Sequence, residues 1–250
     1  MRLLLKRGIA LSITLLACLE LTAKGQALKT DVDSTSTVQA TSVSAAPTPQ
    51  NYISRYEIFA APSYLTTPKL NLVQRGFNAD FVINVKRWLS VGVDYSNLSG
   101  HTDVVPQELT PALQQLLASS VPPGTLIAVP YKSGAQTFGA GPQFNFRRLR
   151  RATFFVRPAG GGLHESITLN PDNPLTSALV AQIVPSHKKS DLTLFYGVGG
   201  GVDLSMSKHI GMRFAADFVH YKLFSDLLAT GQNGVRLSVA PIFRFGGSLK

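Results

Sequence analysis

Between residues 55 and 246 the connections of this chain switch between very short and long, and that spacing constrains the fold more than any single motif. The segments between them alternate apolar and polar residues over roughly 10 positions each, the length of a strand crossing a bilayer at a tilt. The short connections are basic: Lys86-Arg87, Arg148-Leu149-Arg150 and Ser207-Lys208-His209. The long ones fall around residues 65–75, 99–133, 159–190 and 222–235. Short turns on one side and long loops on the other are the signature of an up-and-down transmembrane β-barrel, whose turns lie in the periplasm and whose loops lie outside the cell. The fold expected is all-β, an eight-stranded antiparallel barrel with short helices in its long outer loops.

The N-terminus reads as a secretory signal. Arg2, Lys6 and Arg7 precede an apolar run over residues 8–17, and Gly25-Gln26-Ala27 forms a small-x-small cleavage site. That run is too short to span a membrane as a helix, and no later segment approaches 18 uninterrupted apolar residues. Strands resolve the apparent conflict, because only every second residue of a barrel wall faces lipid. The single cysteine, Cys18, sits in Leu15-Leu16-Ala17-Cys18, which resembles a lipobox; ordinary cleavage near Ala27 is the preferred expectation. Residues 28–54 are rich in Ser, Thr, Ala and Pro and read as a disordered periplasmic lead-in. The organisation expected is therefore a signal over 1–27, a lead-in over 28–54, a barrel over 55–246 and a tail over 247–250.

Charge excludes less than it first suggests. Loss of residues 1–27 leaves 20 basic and 13 acidic side chains, a balance of +7. The run Arg147-Arg148-Leu149-Arg150-Arg151 invites a nucleic-acid reading, but it sits at a hairpin turn in an exported chain, so no nucleic-acid partner is expected.

The strand candidates are 55–64, 76–86, 88–98, 134–147, 152–158, 191–205, 211–221 and 235–246. In the second, Phe77, Ala79, Phe81, Ile83 and Val85 oppose Asn78, Asp80, Asn84 and Lys86; in the last, Leu237, Val239, Phe243 and Phe245 oppose Arg236, Ser238 and Arg244. A soluble sandwich would also alternate, but its turns would not sort by length. Parity places Glu57, Asp80, Asp94, Asp203 and Asp217 inside, with Arg55, Arg147, Arg157, Arg213, Arg236 and Arg244. Counted from the short turns, Asp80, Asp94, Arg157, Asp217 and Arg236 form a middle layer. Glu57, Arg147, Asp203, Arg213 and Arg244 lie nearer the periplasm. Buried charges need partners of opposite sign, and Asp80 and Asp94, facing each other, need an arginine between them. Eight strands enclose only enough room for side chains, so a plug is expected rather than a charge-lined pore, with Gly197, Gly199 and Gly201 making space.

The stretch from Phe195-Tyr196-Gly197-Val198-Gly199 through Asp203, then Ser207-Lys208-His209-Ile210, Arg213 and Asp217, resembles the small OmpA-like outer-membrane β-barrels common in Acidobacteria-type genomes. So does the ending Gln232-Asn233-Gly234 through Phe245-Gly246. The resemblance covers about 55–246, is strongest after residue 190, and implies a Gram-negative envelope protein in contact with outer-membrane lipid and lipopolysaccharide. Ser238, Ala240, Phe243 and Phe245 are similar to the signal read by the barrel-assembly machinery, with Ala240 where glycine is usual and four residues following.

Catalysis is not expected. His164-Glu165-Ser166 has the His-x-Ser spacing of lipid A deacylases, yet reads as the start of an outer loop without a suitably placed acid. The histidines lack metal-ligand spacing, so no metal or cofactor is expected. His220 points toward lipid with no evident partner. The outer loops are the better candidates, since loops of such length usually have a role. Leu113, Leu116 and Leu117 share one face of a helix over 111–121; Leu175, Leu179, Val180 and Ile183 share one of a helix over 174–184, capped by Asn173. These faces either roof the barrel or offer Leu113, Leu117, Leu179 and Ile183 to an apolar ligand or an unknown surface partner. The chain is expected to be a monomer.

Overall fold

The computed structural model describes residues 52–122, 125 and 127–249. The expected signal, Cys18 and the expected lead-in up to residue 51 lie outside the described residues, as does Lys250. Eight antiparallel strands pair in chain order and close into a barrel through β1 and β8. They are β1 (Ser54–Thr67), β2 (Leu72–Asn84), β3 (Leu89–Val104), β4 (Val129–Phe146), β5 (Ala152–Leu169), β6 (Lys188–Ser205), β7 (Ile210–Tyr221) and β8 (Gln232–Ser248). Helices α1 (Pro111–Ser120) and α2 (Pro174–Ile183) lie in the β3–β4 and β5–β6 connections. Among the described residues no helix is long and apolar enough to cross a membrane.

The strands are longer at their outer ends than the alternation over single segments suggests. The expected first long loop is mostly ladder: β1 pairs with β2 from Tyr56–Ile83 out to Thr67–Leu72. A single 3-10 turn, Pro68–Leu70, joins them, and Asn71 closes it at φ 46°, a conformation that asparagine tolerates. β5 does not stop at Pro158 but continues to Leu169. Pro158 stands opposite Pro142 where the β4–β5 ladder lapses between Ala140–Gly160 and Phe144–Val156, so neither proline interrupts a bond that its neighbour needs. A bulge between Ser54 and Tyr56 turns Arg55 outward, against the parity count, and its guanidinium lies 5.9 Å from the Tyr56 ring.

The outer surface is inverted relative to a water-soluble protein. Leu194 is 80% exposed and Leu192 73%, and Phe77, Phe138, Phe218 and Leu237 are also exposed. Such a continuous apolar surface needs a cover. Aromatic pairs border it at both ends. Tyr56 stacks with Phe245 at 5.5 Å and Trp88 with Phe144 at 6.3 Å near the short turns. Phe77 meets Tyr95 at 6.0 Å and Tyr196 meets His220 at 5.0 Å toward the long connections. Tyr56 and Tyr64 mark the two borders on β1, roughly 20 Å apart once strand rise and tilt are applied.

Candidate functional site

Inside the wall, five carboxylates meet five arginines in the two layers that parity assigns. In the middle layer Arg157 Nη1 reaches Asp80 at 3.0 Å and its Nη2 reaches Asp217 at 3.5 Å. Arg236 holds the same Asp217 at 2.8 Å and Asp94 at 3.2 Å. Asp80 and Asp94 do face each other across β2 and β3. Two arginines, not one, separate their charges, and Asp217 ties these together. In the lower layer Arg213 is fully buried and grips Asp203 through Nε at 2.7 Å and Nη2 at 2.8 Å, the paired geometry that suits guanidinium and carboxylate. It also reaches Glu57 at 3.2 Å and lies 4.6 Å from the Phe155 ring centroid. Arg244 and Arg147 complete the layer, at 3.8 and 4.0 Å from Glu57.

Small residues make this density possible. A Cβ on Gly139 would stand 2.7 Å from Asp94 Oδ1, and one on Gly199 would overlap the Asp217 carboxylate outright. With these side chains interlocked, the middle of the barrel is filled.

Above the plug the interior changes character. The outer ends of the strands, α1, α2 and the β7–β8 connection line a partly open cavity of about 100 Å³. Leu113, Leu117, Leu179 and Ile183 all line it, so the structure brings the loop candidates of the sequence together on the inside of a roof. Leu175 remains exposed. Asn173 caps α2 as expected, accepting from the Thr176 N–H at 2.8 Å while Thr176 Oγ1 accepts from the Asn173 N–H. The roof is stitched by backbone bonds from Thr110 N–H to Leu227 O at 2.8 Å and from Ala229 N–H to Glu108 O at 3.1 Å. Phe224 is buried at φ 48°, a costly setting for an aromatic residue, and Asp191 Oδ2 fixes it by accepting its N–H at 2.6 Å. In the β3–β4 connection, burial pushes the Glu108 carboxyl above its usual range, and its Oε2 has no hydrogen-bond partner among the described residues.

Four polar side chains enter the apolar lining, and sequence reasoning missed them: Glu165, Gln232, Tyr131 and Tyr221. Glu165 was expected in a loop. It is instead an inward residue of β5, 6% exposed, accepting at Oε1 from Ser133 Oγ and from Gln74 Nε2 at 3.4 Å. The signal was there, since Leu163, Glu165, Ile167 and Leu169 alternate with His164, Ser166 and Thr168. His164 and Ser166 therefore point outward on the wall; Ser166 Oγ donates to Gly134 O at 3.5 Å, and among the described residues no carboxylate bonds His164. His220, expected to lack a partner, bonds Asn233 Oδ1 at 2.6 Å. Ser238 and Ala240 face inward, while Phe243 and Phe245 are exposed. No group of three or more His, Cys, Asp or Glu side chains among the described residues is arranged to hold a metal.

No family model matches the chain, and no curated protein matches it. Among solved structures it is similar to Neisserial surface protein A, at 10% identity and a TM-score of 0.49, over 76% of this chain and 96% of that one. It is also similar to Ail, the attachment invasion locus protein of Yersinia pestis, at 14% identity and a TM-score of 0.44 over 76% and 96%. The N-terminal β-barrel domain of Pseudomonas aeruginosa OprF follows the same pattern, at 11% identity and a TM-score of 0.39 over 77% and 98%. None of the three bears on the Acidobacteria-type resemblance.

Proposed function

We propose that this chain is a monomeric outer-membrane barrel, exported through a cleaved signal peptide, that serves as a non-conducting envelope component and presents its roofed loops outside the cell. One observation carries the reading: an apolar belt between two aromatic borders surrounds an interior filled by ion pairs. A wall exposing Leu194 and Phe138 is stable in lipid, and its backbone groups are satisfied around the closed ladder. Tyr, Trp and Phe at the borders suit the headgroup region. The Phe243 and Phe245 end of β8 fits recognition by the barrel-assembly machinery. The side with the basic turns faces the periplasm, and lipopolysaccharide surrounds the other. A structural role is favoured over lipid modification because His164 and Ser166 stand on the outer wall without a bonded acid.

Cysteine labelling tests both compartment and orientation. Ser119→Cys in α1 should react with an impermeant maleimide on intact cells, and Ser207→Cys in the β6–β7 turn only after permeabilisation. The reverse pattern, or labelling of neither without permeabilisation, would overturn the proposal. The folded protein should also resist cold SDS and shift mobility on boiling.

A further inference from the structure

The outer cavity differs from the plug below it in one respect that identifies a ligand. Glu57, Asp80, Asp94, Asp203 and Asp217 each meet an arginine within 4.0 Å, but among the described residues no ion pair reaches Glu165. No lysine or arginine lines the cavity, and Arg236, which lies below Glu165, is engaged by Asp94 and Asp217. A second acceptor shares the chamber: Gln232 is 3% exposed and its Oε1 has no partner among the described residues, while its Nε2 donates to Thr230 O at 2.9 Å. Both hydrogen bonds to Glu165 fall on Oε1. Oε2, which accepts none among the described residues, faces a chamber whose lining is otherwise apolar or aromatic apart from Gln232.

A buried acceptor without a donor, as at Gln232 Oε1, is costly, and a carboxylate facing an apolar chamber without a cation more so. The complement that removes both costs has an apolar body and a cationic donor. We propose that this cavity binds a small apolar amine, its hydrocarbon part among Leu113, Leu117, Leu179 and Ile183 and its ammonium at Glu165 and Gln232. A volume of about 100 Å³ is of the order of engineered cavities that hold one benzene, which points to a single ring or a short alkyl chain. An amine donates up to three hydrogen bonds, so it serves Glu165 and Gln232 together, whereas an alcohol donates one. The chamber belongs to the folded strands and helices of this chain, so binding is measurable whether or not the barrel conducts and wherever it resides.

The test is calorimetric titration of the refolded chain in lipid nanodiscs, with empty nanodiscs as the control for partitioning. Benzylamine, benzyl alcohol and toluene are the probes, nearly equal in size and differing in the head. Benzylamine should bind saturably, one per barrel, about tenfold or more tighter than benzyl alcohol, since a charge-assisted bond is stronger than a neutral one. Glu165→Gln keeps the shape and removes the charge, so the preference should fall to about twofold or less. Leu117→Trp, which fills the cavity without touching Glu165, should abolish binding of all three while the mobility shift on boiling persists. Absence of saturable benzylamine binding, a preference for the alcohol or toluene, or an amine preference that survives Glu165→Gln or Leu117→Trp would each overturn the assignment.

Discussion

Asp217 is the residue on which the middle of the barrel depends, because Arg157 and Arg236 share it. Removing one member of a buried ion pair costs about 3–5 kcal/mol, largely through the charge left behind. Asp217→Asn should reach that range in urea unfolding of the vesicle-refolded protein. Asp94→Asn should cost clearly less, because Asp94 accepts one bond, from Arg236, whereas Asp217 accepts two from Arg236 and one from Arg157. Gly199→Ala acts on the same carboxylate from the facing strand. Its effect combined with Asp217→Asn should fall well short of the sum of the two, as expected for residues in contact. Additive effects would mean that Gly199 serves something other than the network. These charges were legible in the sequence because period-two alternation fixes a side chain's face once a turn fixes the register. Arg55 was not, since a bulge changes parity locally without a mark in composition. Glu165 was obscured by the proline and glycines before it in the chain.

At the scale of elements, the roof consists of short helices whose stability comes from caps and packing rather than length. Asn173→Ala removes a bonded cap and should cost about 1 kcal/mol locally. The loss should appear as faster amide exchange across 174–183, with the strands unaffected. Glu108 supplies a pH dependence. Burial raises its carboxyl from 4.5, so the folded loop holds its proton more tightly than the unfolded one. The β3–β4 connection should therefore gain stability as pH falls through the raised value, with the gain complete below the unfolded value. Exchange in 105–110, corrected for intrinsic rates, should slow relative to Glu108→Gln as pH is lowered; a variant matching the parent at every pH would refute this. The helices themselves were readable from Pro111, Asn173-Pro174 and the leucine spacing. The strand ends beyond the apolar belt were not, because the outward residues there turn polar while pairing continues. Lys132, His164 and Ser190 look like loop residues to a pattern tuned to lipid.

For the whole molecule, closure of the ladder and neutrality of the plug support each other. A barrel of this strand number has no room to hydrate ten charged groups, so they pair, and pairing across the lumen fills the space a channel would need. The fold was legible as a whole because turn length and alternation are properties of the wall. The outer chamber was not, since it is assembled from the far ends of strands and loops distant in sequence. Single-channel recording tests most directly whether the barrel spans a membrane with its middle closed. Full-length protein inserted in planar bilayers should give no stable conductance above the bare membrane, whereas Arg157→Ala, which opens the middle layer, should give brief openings. Steady ohmic steps from the unmutated protein would mean an open lumen and make the chain a conduit for small solutes.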